Sequence, residues 1–125
     1  MLGTVRIDKA DKAFSRYIRL RDKRCKRCGN WGWGFSGING LQCSHFFGRR
    51  MESVRFDEEN CDTLCFGCHR YWEKEDREGY RQFKIKQLGQ KRFDLLVVRA
   101  NTPTKKDRQM AYLYWKNRLK EFEKA

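Results

Sequence analysis

Residues 43–69 read CSHFFGRRMESVRFDEENCDTLCFGCH, and the rest of the chain is arranged around them. The stretch holds both histidines of the protein, His45 and His69, with Asn60 between them. His45 falls on a strand predicted over residues 41–46, just ahead of a basic loop over residues 47–55. A neutral imidazole there can take a proton from water attacking a phosphodiester, because its ordinary pKa lies near working pH. Asn60 is placed to pin the loop through its amide, so that His45 points at the phosphate. His69 follows Cys68 at a helix start, where a ring nitrogen can bind a divalent metal that offsets charge on the transition state.

Two C-x-x-C knuckles bracket this stretch, Cys25-Lys-Arg-Cys28 and Cys65-Phe-Gly-Cys68. Each turn presents two sulfurs at adjacent positions, and zinc prefers four thiolates in a tetrahedron, so one structural Zn2+ is predicted. A redox C-x-x-C is the rival, but two matched knuckles without a thioredoxin-like pattern favour zinc. Cys43 and Cys61 have no C-x-x-C partner and read as buried thiols rather than ligands.

The chain has 125 residues, of which 39% are hydrophobic and 36% charged, with a net charge of +13. That length fits one domain, with a core at about residues 25–89 and C-terminal helices over residues 90–125. The positive field attracts polyanions, nucleic acid first. No apolar run approaches the roughly 20 residues needed to span a bilayer. The N-terminal residues lack the apolar centre and cleavage site of a secretory signal, so the expected location is the cytoplasm and the cysteines are expected as thiols.

Outside the central stretch the periodicity predicts helices. Residues 8–24 carry Ala10, Phe14, Tyr17, Ile18 and Arg21 on one stripe, with Asp8 and Asp11 where a helix N-terminus favours acid. The opposite face, with Lys12, Arg16, Arg19, Lys23 and Arg24, is either a solvated charge run or a phosphate-facing surface. Residues 30–40 are rich in glycine and cannot be helical. Trp31, Trp33 and Phe35 there either stack on bases or shield the knuckle, and the second is favoured. A helix starting inside the second knuckle is expected to run to about residue 78 and break at Gly79. A second stretch follows through Tyr80, Phe83 and Leu88 to a Gly89 C-cap. A short helix over Phe93, Leu96, Val97 and Ala100 comes next. Thr104 with Asp107 reads as a capping box for a last helix, with Tyr112, Trp115, Leu119 and Phe122 on its core stripe.

The runs HFFGRR, RFDEEN and CFGCH, followed by EGYRQFKIKQLG, resemble the phage NinG (Rap) recombination nucleases, a branch of the H-N-H or ββα-metal superfamily. The resemblance spans about residues 25–96. It implies an α+β, zinc-stapled ββα-metal core and a hydrolase that cuts branched DNA with Mg2+ or Mn2+. It matches His45 to the catalytic histidine, Asn60 to the central asparagine and His69 to the helix metal ligand. Two positions depart from the pattern. Many H-N-H enzymes have an acidic residue just before the first histidine, where this chain has Ser44, a far weaker ligand for a hard cation. His69 stands where NinG relatives tend to have asparagine.

The expectation is therefore a metal-dependent endodeoxyribonuclease acting on branched DNA or four-way junctions in phage recombination. Cys25, Cys28, Cys65 and Cys68 hold Zn2+, and His45, Asn60 and His69 carry catalysis. Arg49, Arg50 and Arg55 clamp the phosphates beside the cut, and two symmetric cuts at a junction would suit a homodimer. The alternatives are a general phage H-N-H endonuclease on duplex DNA and a zinc-finger nucleic-acid-binding module without catalysis.

Overall fold

The computed structural model describes residues 6–31 and 40–122; Trp33 and Phe35 lie outside them. The class is α+β. Its elements are α1 (Lys9–Asp22), β1 (Leu41–His45), β2 (Cys61–Cys65), α2 (Phe66–Lys74), α3 (Arg77–Leu88), α4 (Gln90–Ala100) and α5 (Arg108–Leu119). Short 3-10 turns cover Glu52–Val54, Glu58–Asn60 and Lys120–Phe122. No helix among the described residues is long and apolar enough to cross a membrane.

Asp8 and Asp11 form a reciprocal capping box at the start of α1, which satisfies two backbone N–H groups that a helix end otherwise leaves open. The helix closes two residues short of the expected end, where Lys23 turns left-handed at φ 67° and returns its N–H to the Arg19 carbonyl. Its stripe of Phe14, Tyr17 and Ile18 is buried against Trp115 of α5, with Leu119 and Phe122 at the margin.

β1 and β2 pair antiparallel in the register Cys43↔Thr63, Ser44↔Asp62 and His45↔Cys61. Side chains alternate across a strand pair, so the sheet has two distinct faces. Cys43, His45, Cys61 and Thr63 turn toward α1, where Thr63 Oγ1 donates to the Ile18 carbonyl at 3.1 Å. Ser44 and Asp62 turn toward α3, where the Tyr80 hydroxyl lies 3.0 Å from Ser44 Oγ and Lys84 Nζ lies 3.1 Å from Asp62. Lys84 and Asp62 are both buried, and Gln87 donates to the other Asp62 oxygen at 2.8 Å. The pair is thus shared within a hydrogen-bonded group, as a buried charge requires.

Three further expected boundaries move. The strand ends at His45, one residue early, because Asn60, opposite Phe46, lies in a 3-10 turn and gives its N–H to the Asp57 carbonyl instead of back across the ladder. The helix expected to reach residue 78 stops at Lys74, and Gly79 does not break it. Asp76 caps the next helix by accepting the Gly79 N–H at 2.9 Å. A Cβ on Gly79 would fall 2.0 Å from that Asp76 carboxylate, so the glycine makes room for the cap. At the last helix the cap is Asp107 alone, accepting the Met110 N–H, while Thr104 donates to the Thr102 carbonyl instead. Gly89 ends α3 as expected, at φ +85° with its N–H on the Ile85 carbonyl.

Candidate functional site

The two knuckles come together. Cys25, Cys28, Cys65 and Cys68 place their sulfurs within 4.8 Å of one another, with Cys28 and Cys65 at 3.9 Å. Local geometry explains why. Gly29, at φ +80°, closes the first knuckle onto the Cys25 carbonyl, and the Lys26 N–H ties it to Thr63 of β2. The second knuckle is the first turn of α2, with Cys65 as the N-cap residue. Burial raises the Cys25 thiol, but N–H groups of Cys28, Cys65 and Arg27 outweigh it and bring it to about 7. Burial and the crowding of neighbouring thiols push Cys68 up to about 12, against the Arg27 guanidinium 3.3 Å away. Four such sulfurs ionise together only around a cation. The cluster is positioned to hold a metal ion, and its all-sulfur donor set is that of structural zinc.

A pocket of about 510 Å³ lies beside β1, lined by His45, Arg49, Arg50, His69, Glu73 and Arg77, among others. It brings His45 and His69 to one cavity from different elements. His45 Nε2–H donates to the Arg55 carbonyl at 2.9 Å, which fixes the tautomer and leaves the Nδ1 lone pair. Nδ1 is buried and has no hydrogen-bond partner. Burial first, then the nearby Arg49 charge, lowers the His45 pKa to about 4, so the ring is neutral.

Asn60 is fully buried and holds the loop at three points. Its Nδ2 donates to the carbonyls of Phe47 at 2.9 Å and Val54 at 3.0 Å, and its Oδ1 accepts the Phe47 N–H at 2.9 Å. Both ends of the loop that follows His45 are therefore fastened to one amide. Arg99 of α4 braces the same region from outside by pairing with Asp57 and Glu59, each at 2.8 Å.

His69 Nδ1–H donates to Gln42 at 2.7 Å, so Nε2 presents its lone pair to the Glu73 carboxylate 3.2 Å away. Two acceptors facing each other are completed by a proton or by a cation. A small dication bound about 2.1 Å from each would separate adjacent ligands by about 3 Å, which this pair matches. Glu73 is absent from the sequence-based site. The signal for it was its position four residues after His69, on the same helix face. Ser44 contributes nothing here, since its hydroxyl is spent on Tyr80 on the other face.

The arginines separate. Arg49 and Arg50 line the pocket, and Arg49 carries a buried Nε without a hydrogen-bond partner, 3.9 Å from the Asp11 carboxylate. Arg55 does not reach the pocket as a phosphate clamp. It is 3% exposed, with Nε and Nη2 on the Asp11 carboxylate at 2.8 and 2.5 Å and Nη2 also on the Arg6 carbonyl. A buried carboxylate demands such a partner, and Arg55 supplies it. Arg77, unmarked in the sequence, stands on the pocket wall with its guanidinium 4.1 Å from the Phe46 ring. Trp31 is exposed and stacks on Arg24 at 3.9 Å rather than covering a knuckle.

Cys43 and Cys61 are buried, as expected of thiols. Together with His45 they also form a second group whose ligand atoms lie within 4.8 Å of one another. Comparisons with family models, curated proteins and solved structures found no match.

Proposed function

We propose that this protein is an H-N-H-type endonuclease that hydrolyses phosphodiester bonds in DNA, with branched recombination intermediates as the substrate class. The observation that carries the reading is the state of His45. Its Nε2–H is held by a backbone carbonyl, its Nδ1 lone pair is unengaged, and the loop beside it is fastened by Asn60. An antiparallel strand pair leading straight into α2 is the order of elements that a ββα-metal reading needs.

His69 Nε2 and Glu73 would hold a divalent cation, Mg2+ or Mn2+, which supplies charge stabilisation at the leaving oxygen. His45 Nδ1 accepts the proton of the attacking water as its oxygen bonds to phosphorus, the bond from phosphorus to the departing deoxyribose oxygen breaks, and that oxygen takes a proton from solvent. The Arg55 carbonyl steadies the imidazolium that forms. Arg49 donates to a non-bridging phosphate oxygen, which satisfies its orphaned Nε. In the free protein Nδ1 is covered, and catalytic hydrogen bonds commonly form only once substrate is bound. Drawing Arg49 onto a phosphate satisfies both orphaned atoms in one step, since a water on that phosphate then meets Nδ1. The exposed Lys12 and Arg16 of α1, with Lys23 and Arg24 just beyond its end, extend the positive surface for further phosphates. A junction offers more phosphates within reach of such a surface than a linear duplex does.

The test is cleavage of matched duplex, flap and four-way-junction DNA with and without Mg2+ or Mn2+. Metal-dependent cutting that is strongest on the junction, and abolished by His45→Ala with DNA affinity retained, is the expected result. Wild-type rates in His45→Ala would remove the H-N-H reading. DNA binding without any cleavage would leave a zinc-dependent binding module.

A further inference from the structure

We propose that Cys43, His45 and Cys61 form a second metal site, selective for a thiophilic dication such as Zn2+, whose occupation takes the ring nitrogen that hydrolysis needs. The inhibitory part rests on the reading of His45 as the base; the metal site itself does not.

Four observations support the site. The three residues share one face of the strand pair, with Cys43 two residues before His45 and Cys61 directly across from it. Their ligand atoms lie within 4.8 Å of one another, and zinc bonds of about 2.0 Å to nitrogen and 2.3 Å to sulfur put tetrahedral ligand atoms about 3.5–3.8 Å apart. Small side-chain rotations close that difference. His45 Nδ1 is buried and without a partner, while Nε2–H already rests on the Arg55 carbonyl. That second hydrogen bond is the one metal-bound histidines use to fix their ring. Finally, two thiolates and one imidazole neutralise a dication, so the filled site is compatible with its burial.

Cys43 and His45 also line the pocket, so the fourth coordination position opens to it, where water or an anion completes the tetrahedron. Three protein ligands with one open position suit zinc far better than the hard cation assigned to His69 and Glu73. The two metals would thus sort by chemistry: oxygen-loving ions at one end of the pocket, sulfur-loving ions at the other. Zinc entering at the thiols binds the His45 lone pair through Nδ1 and withholds it from water. No bond in the substrate changes in this step. The two thiols release their protons to solvent on binding, and metal removal returns them.

The experiment uses the full chain, first loaded with zinc at the four-cysteine cluster and then titrated with Co2+ as a visible probe. A second equivalent is expected, with a thiolate-to-cobalt charge-transfer band and intense visible bands of tetrahedral cobalt. Cys43→Ala and Cys61→Ala should each lose that second equivalent and keep the first, whose retention also reports that the variant is folded. A single equivalent in the wild type, or a second one unchanged in both variants, overturns the site. In the cleavage assay, excess Zn2+ should silence the wild type and leave Cys43→Ala active in Mg2+. Equal zinc sensitivity in both would place the inhibition at His69 and Glu73 and overturn the inhibitory role. If no chain cleaves DNA, the nuclease reading and with it the inhibitory role fail, while the cobalt spectra still decide the metal site.

Discussion

Asp11 on α1 and Arg55 at the end of the basic loop meet at 2.5 Å, both buried, across 44 residues of chain. The pair is the main polar tie between the N-terminal helix and the loop whose carbonyl holds His45. Arg55→Ala leaves the Asp11 carboxylate buried and unmatched, and should cost about 3–5 kcal/mol in urea unfolding. Arg50→Ala, at an exposed position, should stay within about 0.5 kcal/mol. Replacing both partners, as Asp11→Leu with Arg55→Met, should recover only part of the loss, because Asp11 also completes the capping box of α1. Equal, small effects for Arg55 and Arg50 would show that the buried pair does not form.

For the four-cysteine cluster, purified protein should carry about one tightly held zinc. Changing any one of Cys25, Cys28, Cys65 or Cys68 to serine should unfold the chain or nearly so, because the binding free energy of a structural metal is folding free energy. Strong chelators should do the same to the wild type. Elemental analysis that finds no metal in a folded chain, or thiol titration that finds disulfides, would contradict the cluster's role.

Asn60→Ala would strand two carbonyls and one N–H inside the loop. The expected loss is about 2–4 kcal/mol, at roughly 1–3 kcal/mol for each group left unsatisfied and partly relaxed. Cleavage should fall with it while the zinc content is kept, since no cysteine depends on that amide. A variant that retains both full stability and full activity would mean that the three hydrogen bonds do not hold the loop.

The His45 ring should titrate near pH 4 by NMR of its ring carbons, because burial and the Arg49 charge disfavour the imidazolium. The unfolded chain has an ordinary imidazole near 6.5. Between those values the unfolded chain binds more protons, so acidification from about 6.5 toward 4 removes stability, and the contribution is fully present only above that window. Arg49→Ala should move the midpoint upward. A midpoint at 6.5 in the wild type would show that the ring is solvated.

Much of this arrangement was readable in the residues. The capping acids of α1, the paired knuckles and the Gly89 stop are local signals whose meaning is fixed within a few positions. So was the pinning of a loop by Asn60, since an amide between two ordered elements has few other uses. Arg55 was not readable, because whether a cation faces solvent or a buried carboxylate depends on a partner 44 residues away. Glu73 was hidden in a charged helix, where an acid ordinarily just faces water. The end of α2 is not legible locally, because Asp76 caps from within the acidic and basic run EKEDREG, in which Gly79 is the stronger breaker signal.

That helix break leaves Glu73 and Arg77 on separate elements, though in an unbroken helix residues four apart would pair. The metal cluster has a wider consequence, for how the molecule comes into being. Cys28 and Cys65 are 37 residues apart, and the segment they close contains His45, Asn60 and both strands. A two-stranded sheet has little stability of its own in water. During synthesis the pocket has no frame until the second knuckle has emerged and met the first around an ion. A newly made chain therefore has no formed pocket, and the supply of metal would set the moment at which the fold is completed.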